Sequence, residues 1–205
     1  MNIFFMGTPE FAVPTLDILN KNYNVIGVFT QPPRPSGRGM KEIKSSIQQY
    51  SEKNKLNFYT PNNLKKDETL NFLVSLNPDL IVVVAYGLLI PEVILKIPSY
   101  GCINGHASLL PKWRGAAPIQ RAIEAGDIKT GCTSMLMEKG LDTGPMIHKK
   151  EILIKMDNDV IDLFKSLSFL TAECLHETIQ KLISGDSKQM PQNNLEASYA
   201  HKLTK

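Results

Sequence analysis

The stretch Leu80–Ala85 (LIVVVA) limits the possible folds more than any other part of the chain, because it is apolar at every position, β-branched at four, and closed upstream by Pro78 and Asp79. A half-exposed strand alternates apolar with polar residues, and an amphipathic helix repeats every three to four. Unbroken apolar character over so short a run instead marks a central strand of a parallel sheet with helices on both faces. The surrounding pattern agrees. Asn2–Gly7 (NIFFMG) reads as a strand that turns at Pro9 into a helix through Leu16 and Leu19, and Val25–Thr30 reads as a second strand. Helices are expected near 43–54 and 68–76, with a possible short strand at 57–59 between them, and a short helix after Pro91. A strand at 101–105, a helix at 115–124, strands at 130–138 and 146–154, and an amphipathic helix at 160–183 follow. Alternation at this spacing predicts an α/β fold, a doubly wound, mostly parallel sheet of the Rossmann-like kind.

The chain of 205 residues, 42% hydrophobic and 21% charged, is long enough for a sizeable core and has the composition of a globular domain. From Gly185 it turns polar (QMPQNN, then SYAHKLTK), so residues 1–184 are expected to form the folded domain and 185–205 a linker. The first residues run straight into a strand with no basic, apolar or cleavage region of a signal peptide, and no apolar run nears the roughly 18 residues of a membrane span. A cytoplasmic protein without membrane attachment is expected. Cys102, Cys132 and Cys174 lie far apart with no Cys-x-x-Cys pair, and no two histidines have metal-ligand spacing, so neither disulfides nor a metal is expected. The net charge of +3 excludes nothing, but its distribution matters: Arg34, Arg38, Lys41 and Lys44 stand against Glu42 alone between Gln31 and Lys44. In that segment TQPPRPSGRG, with three prolines and two glycines, predicts a long exposed loop without regular structure.

In open α/β sheets ligands sit beyond the carboxyl ends of strands. Asn104 and His106 occupy such an end in GCINGH, two apart, so both side chains can point to one side of the strand. An amide donor beside an imidazole can bind a carbonyl oxygen and move a proton, which acyl transfer requires, although an Asn–His pair can also be merely structural. Asp142 lies in GLDTG, where Gly140 and Gly144 permit a tight excursion. An aspartate there usually satisfies turn hydrogen bonds, but a carboxylate close to a histidine can also orient it. GTPEF after the first strand lacks the further glycines of a dinucleotide or phosphate loop.

Five segments in order, FMGTPEFAVP, TQPPRPSGRG, AYGLLIP, INGHASLLPKWRGAAPIQRAI and GLDTGPM, resemble the methionyl-tRNA formyltransferase family over nearly all of its catalytic domain. The resemblance implies a formyltransferase fold and transfer of a formyl group from 10-formyltetrahydrofolate to the amino group of methionyl initiator tRNA. It implies catalysis by Asn104, His106 and Asp142, and a folate site lined by Ser108, Leu109, Leu110 and Pro111, with Tyr86, Gly87, Leu88, Ile90 and the 138–142 region around the pterin. It further implies that the 31–44 segment meets the tRNA acceptor arm through Arg34, Arg38, Lys41 and Lys44, that the enzyme is a monomer, and that 185–205 leads toward a smaller β-rich tRNA-binding domain. Pro33, Gly105 and Ser46 depart from the family pattern, which commonly has an acid, a larger residue and a proline there. Glycinamide ribonucleotide formylation, sugar-nucleotide formylation and folate or RNA binding without turnover are the competing readings.

Overall fold

The computed structural model describes residues 1–36 and 41–203, which divide into two compact units, Met1–Cys102 and Ile103–Lys205. Seven strands form a mostly parallel sheet accompanied by helices, as the apolar runs predict, and two further strand pairs stand apart from it.

The first unit contains β1 (Asn2–Gly7), α1 (Val13–Asn22), β2 (Asn24–Phe29), β3 (Arg34–Ser36), β4 (Lys41–Ile43), α2 (Ser46–Lys53), β5 (Phe58–Tyr59), α3 (Asp67–Leu76), β6 (Leu80–Val84) and α4 (Glu92–Leu95). Within it β1 pairs in parallel with β2 and β6, and β2 with β5. All five residues of β6 are buried, as are Ile3 to Met6 of β1, so these strands carry apolar side chains on both faces. Burying each such side chain contributes roughly 1.5 to 3 kcal/mol before conformational entropy is set against it. Phe29 meets Phe4 edge-on at 4.7 Å and stacks on Phe72 at 6.2 Å, which ties α3 to the strands. Local chemistry sets the helix ends: α2 begins where Ser45 Oγ accepts the Gln48 N–H at 2.9 Å, and α3 stops at Asn77, which takes a left-handed φ of 46°.

The proline-rich segment differs from the expected irregular loop. β3 and β4 form a two-stranded antiparallel ribbon with Arg34 opposite Ile43 and Pro35 opposite Glu42. In a two-stranded ribbon both strands are edges, so Pro35 can occupy a position whose missing N–H no partner strand requires.

The second unit opens within β7 (Cys102–His106) and continues through β8 (Arg114–Gly115), α5 (Pro118–Glu124), β9 (Lys129–Leu136), β10 (Met146–Leu153), α6 (Val160–Ser184) and β11 (Tyr199–Ala200). β9 runs antiparallel to both β7 and β10. α6 packs on β9 and β10; it starts at a capping box between Asp159 and Asp162 and ends at Gly185 with φ 78°. A Cβ on Gly105 would lie 2.6 Å from Thr171 Cγ2 and 2.8 Å from Leu175 Cδ1, so α6 presses against the face of β7 that Gly105 leaves open. Asn104 and His106 alternate to the other face. The helix expected from Gly115 begins instead at Pro118, because Arg114 and Gly115 are taken up by pairing with Tyr199 and Ala200 of β11. Much of the polar tail is thus folded onto this unit: Met190 also exchanges two 2.8 Å backbone hydrogen bonds with Met146.

Candidate active site

β7 delivers Asn104 and His106 at its carboxyl end, and the excursion between β9 and β10 delivers Asp142. His106 is buried, with its ring Nε2 2.8 Å from the Trp113 carbonyl oxygen. A carbonyl can only accept, so this contact places the proton on Nε2 and leaves Nδ1 as the nitrogen able to exchange one. Nδ1 faces Asp142 Oδ2 at 3.6 Å, too long for a direct hydrogen bond. The same Oδ2 accepts the backbone N–H of Gly115 at 2.8 Å, and Oδ1 lies 3.5 Å from Asn104 Nδ2. Asp142 itself is in the left-handed region, with φ 55°, between the glycines of GLDTG. That conformation is unfavourable for a residue with a Cβ and persists only where its surroundings hold it.

Three polar groups therefore converge: an amide donor, an imidazole whose accepting nitrogen looks inward, and a carboxylate oriented by a backbone donor. Two of the tethers, the Trp113 carbonyl and the Gly115 N–H, escape a reading based on side-chain type. Their one trace in the sequence is the WRG tripeptide, where Trp113 takes φ 60° and Gly115 φ 112°.

Residues 108–111 form a tight turn in the same unit. Thr133 Oγ1 donates to the Ser108 carbonyl at 2.7 Å and accepts the Leu110 N–H at 3.0 Å, while Ser108 Oγ donates to the Lys112 carbonyl at 2.6 Å. Ser108 and Leu110 are fully buried, the latter beside Met135 and Met146, so the half-buried Leu109 and Pro111 supply the turn's accessible side-chain surface. Tyr86, Gly87, Leu88 and Ile90 lie in the first unit, in the irregular segment after β6. The Tyr86 carbonyl accepts from Thr8 Oγ1 at 2.7 Å and Gln31 Nε2 at 2.8 Å, and burial pushes its phenol well above the usual tyrosine range. A Cβ on Gly87, at φ 84°, would come within 2.3 Å of Gln31 Nε2.

In the basic ribbon Arg34 is exposed, and Lys44, just past β4, is bound to both carboxylate oxygens of Glu52 at 2.8 and 2.9 Å. Lys41 belongs to β4, and Arg38 lies outside the described residues. Among the described residues no His, Cys, Asp or Glu side chains assemble into a metal-binding group of three or more, and no helix is long and apolar enough to cross a membrane.

A family profile described as formyl transferase matches residues 1–179. Methionyl-tRNA formyltransferases of Marinobacter nauticus and Alkaliphilus metalliredigens are 47% and 48% identical to the chain over 206 aligned positions, covering 100% of it and 66% of each relative. The chain thus spans just under two thirds of the length of these relatives. Solved structures share the fold at lower identity. A phosphoribosylglycinamide formyltransferase from Bacillus halodurans gives a TM-score of 0.74 at 20% identity, over 90% of this chain and 96% of that one. An N-formyltransferase from Helicobacter canadensis, in complex with folinic acid and dTDP-3-aminofucose, gives 0.70 at 19% identity, over 98% and 74%.

Proposed function

This chain belongs to the formyl transferase family, and from that premise we propose that it transfers a formyl group from 10-formyltetrahydrofolate to the α-amino group of methionyl initiator tRNA, as a cytoplasmic monomer. The observation that carries the reading is the convergence of Asn104, His106 and Asp142 within 3.6 Å of one another through Asp142. The donor set suits a formyl group, since an amide N–H beside a proton-exchanging nitrogen can meet a carbonyl oxygen and its attacking amine together.

The folate supplies an activated formyl group and a nitrogen leaving group. The neutral amine adds its lone pair to the formyl carbon, and the carbonyl electron pair moves onto oxygen. Asn104 Nδ2 donates to that oxyanion. His106 Nδ1 accepts the proton that the attacking nitrogen must lose, while its Nε2–H stays anchored on the Trp113 carbonyl. The imidazolium, balanced by the Asp142 carboxylate, faces the oxyanion as a second donor and then returns the proton to the departing folate nitrogen as the C–N bond breaks. Leu109, Pro111 and the 138–142 segment are the parts of this unit we assign to folate contact, with Ser108 and Leu110 shaping the turn from within.

The acceptor is assigned from the named relatives at 47–48% identity and from the basic ribbon, whose Arg34, Arg38, Lys41 and Lys44 would meet phosphates of the acceptor arm. We place the catalytic domain at 1–184, with 185–205 leading on toward a tRNA-binding domain after residues 190–200 have packed back onto the catalytic domain. Glycinamide ribonucleotide is disfavoured by the turn after β1. There Thr8 is engaged by the Tyr86 carbonyl and Glu10 puts an acid in the first turn of a 3-10 helix, where a phosphate would be repelled.

The test is incubation of the protein with 10-formyltetrahydrofolate and, separately, methionyl initiator tRNA, glycinamide ribonucleotide and an amino-sugar nucleotide. Formylation of the tRNA alone is expected. Formylation of either small acceptor in its place overturns the assignment, and folate binding without turnover on any acceptor overturns the enzymatic reading.

A further inference from the structure

The tail segment 190–200 holds the site from behind, and one of its side chains reaches the segment that carries the carboxylate. Gln192 Nε2 donates to the Asp142 carbonyl at 2.8 Å and to the Gly144 carbonyl at 2.8 Å. Its Oε1 accepts from Arg114 Nε at 2.9 Å, and Arg114 Nη2 donates to Asn194 Oδ1 at 3.0 Å. Arg114 is almost fully buried and sits next to Gly115, whose N–H binds the Asp142 carboxylate. A single amide thus clips together the main chain on both sides of Thr143 and the arginine that neighbours the carboxylate's backbone donor.

We propose that Gln192 is a positioning residue for Asp142, and that the tail is part of the catalytic apparatus through it; the proposal rests on the catalytic role assigned to Asp142 above. Asp142 occupies a left-handed backbone conformation, which costs a residue with a Cβ and persists where its surroundings hold it. The two hydrogen atoms of the Gln192 amide are both spent on carbonyls of this excursion, so they fix its backbone rather than a side-chain rotamer. The 3.6 Å separation of Asp142 Oδ2 from His106 Nδ1 depends on where that backbone carries the side chain, which the Gly115 N–H then orients. A displacement near 1 Å at a reacting centre costs roughly 100-fold in rate.

The discriminating variant is Gln192→Glu. It keeps the length and an acceptor for Arg114, but has no N–H for the two carbonyls and sets a carboxylate oxygen against them. In methionyl-tRNA formylation, kcat is expected to fall on the order of 10- to 100-fold with KM for the folate unchanged within about threefold and the unfolding midpoint retained. In an Asp142→Ala background the same change should cost less than about twofold, because a residue that acts through Asp142 has nothing left to position. Hydrogen exchange at the Gly115 amide supplies a readout without turnover: its protection should drop in Gln192→Glu. Wild-type kcat, or an equal loss in both backgrounds, overturns the proposal. A kcat loss recovered in full when the variant is restabilised at lower temperature also overturns it. If no acceptor is formylated by the parent protein while Gly115 protection still drops in the variant, the positioning contact stands and the reaction assignment fails.

Discussion

Around His106 the polar groups are tied to others of the same unit: the imidazole to the Trp113 carbonyl, the carboxylate to the Gly115 N–H, and the Asp142 carbonyl to Gln192. In the ribbon of β3 and β4, by contrast, Arg34 is exposed and Lys44 leans on a glutamate that is itself exposed. The contrast matches two different physical demands. Stabilising a charge that exists only in a transition state requires donors fixed before the reaction, because reorganising them would consume the gain. Binding phosphates requires long cations that displace condensed counterions, and a flexible, hydrated side chain does this well. Substitutions around His106 should alter kcat, and substitutions in the ribbon should alter affinity and its dependence on salt.

The largest break is expected at Asp142. Asp142→Ala removes the carboxylate that balances a protonated His106 and leaves the Gly115 N–H without its acceptor, and kcat should fall about 100- to 10,000-fold. Single-turnover measurement at saturating tRNA isolates the step. A near wild-type rate would remove Asp142 from the chemistry. Asn104→Ala comes next. Loss of one oxyanion donor typically lowers kcat about 100- to 1000-fold, roughly 2.7 to 4 kcal/mol, and tRNA affinity should not move. A change confined to KM would mean that Asn104 binds the ground state only.

Arg34→Ala sharpens the other side of the comparison. The exposed guanidinium should contribute one phosphate contact, so the slope of log affinity against log salt should flatten by roughly 0.7 to 0.9. Folate affinity and kcat at saturating tRNA should stay as they are. A slope identical to that of the parent protein would take Arg34 out of the interface.

These regions also differ in how far the sequence reveals them. LIVVVA and the alternation around it are enough to infer a parallel α/β sheet, since periodicity and burial are two expressions of the same constraint. Asn104 and His106 are visible because a strand end exposes side chains two apart. The tethers that give them direction are not, since Trp113 and Gly115 contribute backbone atoms, and any residue type has those. Gln192 is hidden for another reason: QMPQNN has a linker's composition, and the pairing of β11 with β8 and of Met190 with Met146 brings it to the Asp142 carbonyl. The ribbon is not legible in the sequence, because prolines argue against central strands but are tolerated in an isolated two-stranded pair, where both strands are edges.

The smallest expected effect tests the ribbon from its acidic side. Lys44 is bound to Glu52, and this partner, with Gln48 assisting, holds the Glu52 carboxyl below the ordinary glutamate value of 4.5. A carboxyl depressed in this way stays ionised above that value and loses its pairing only as pH falls through its lowered pKa. Acidification from pH 8 to 5 therefore leaves Lys44 paired, and mutation is the way to release it. Glu52→Gln should steepen the salt dependence of tRNA binding by at most one phosphate contact, roughly 0.7 to 0.9 in slope, and tighten binding at low salt by a small factor. It should leave kcat unchanged. If the slope instead matches that of the parent protein, Lys44 is a surface cation that serves Glu52 alone, and the contact with tRNA rests on the remaining basic residues of the ribbon.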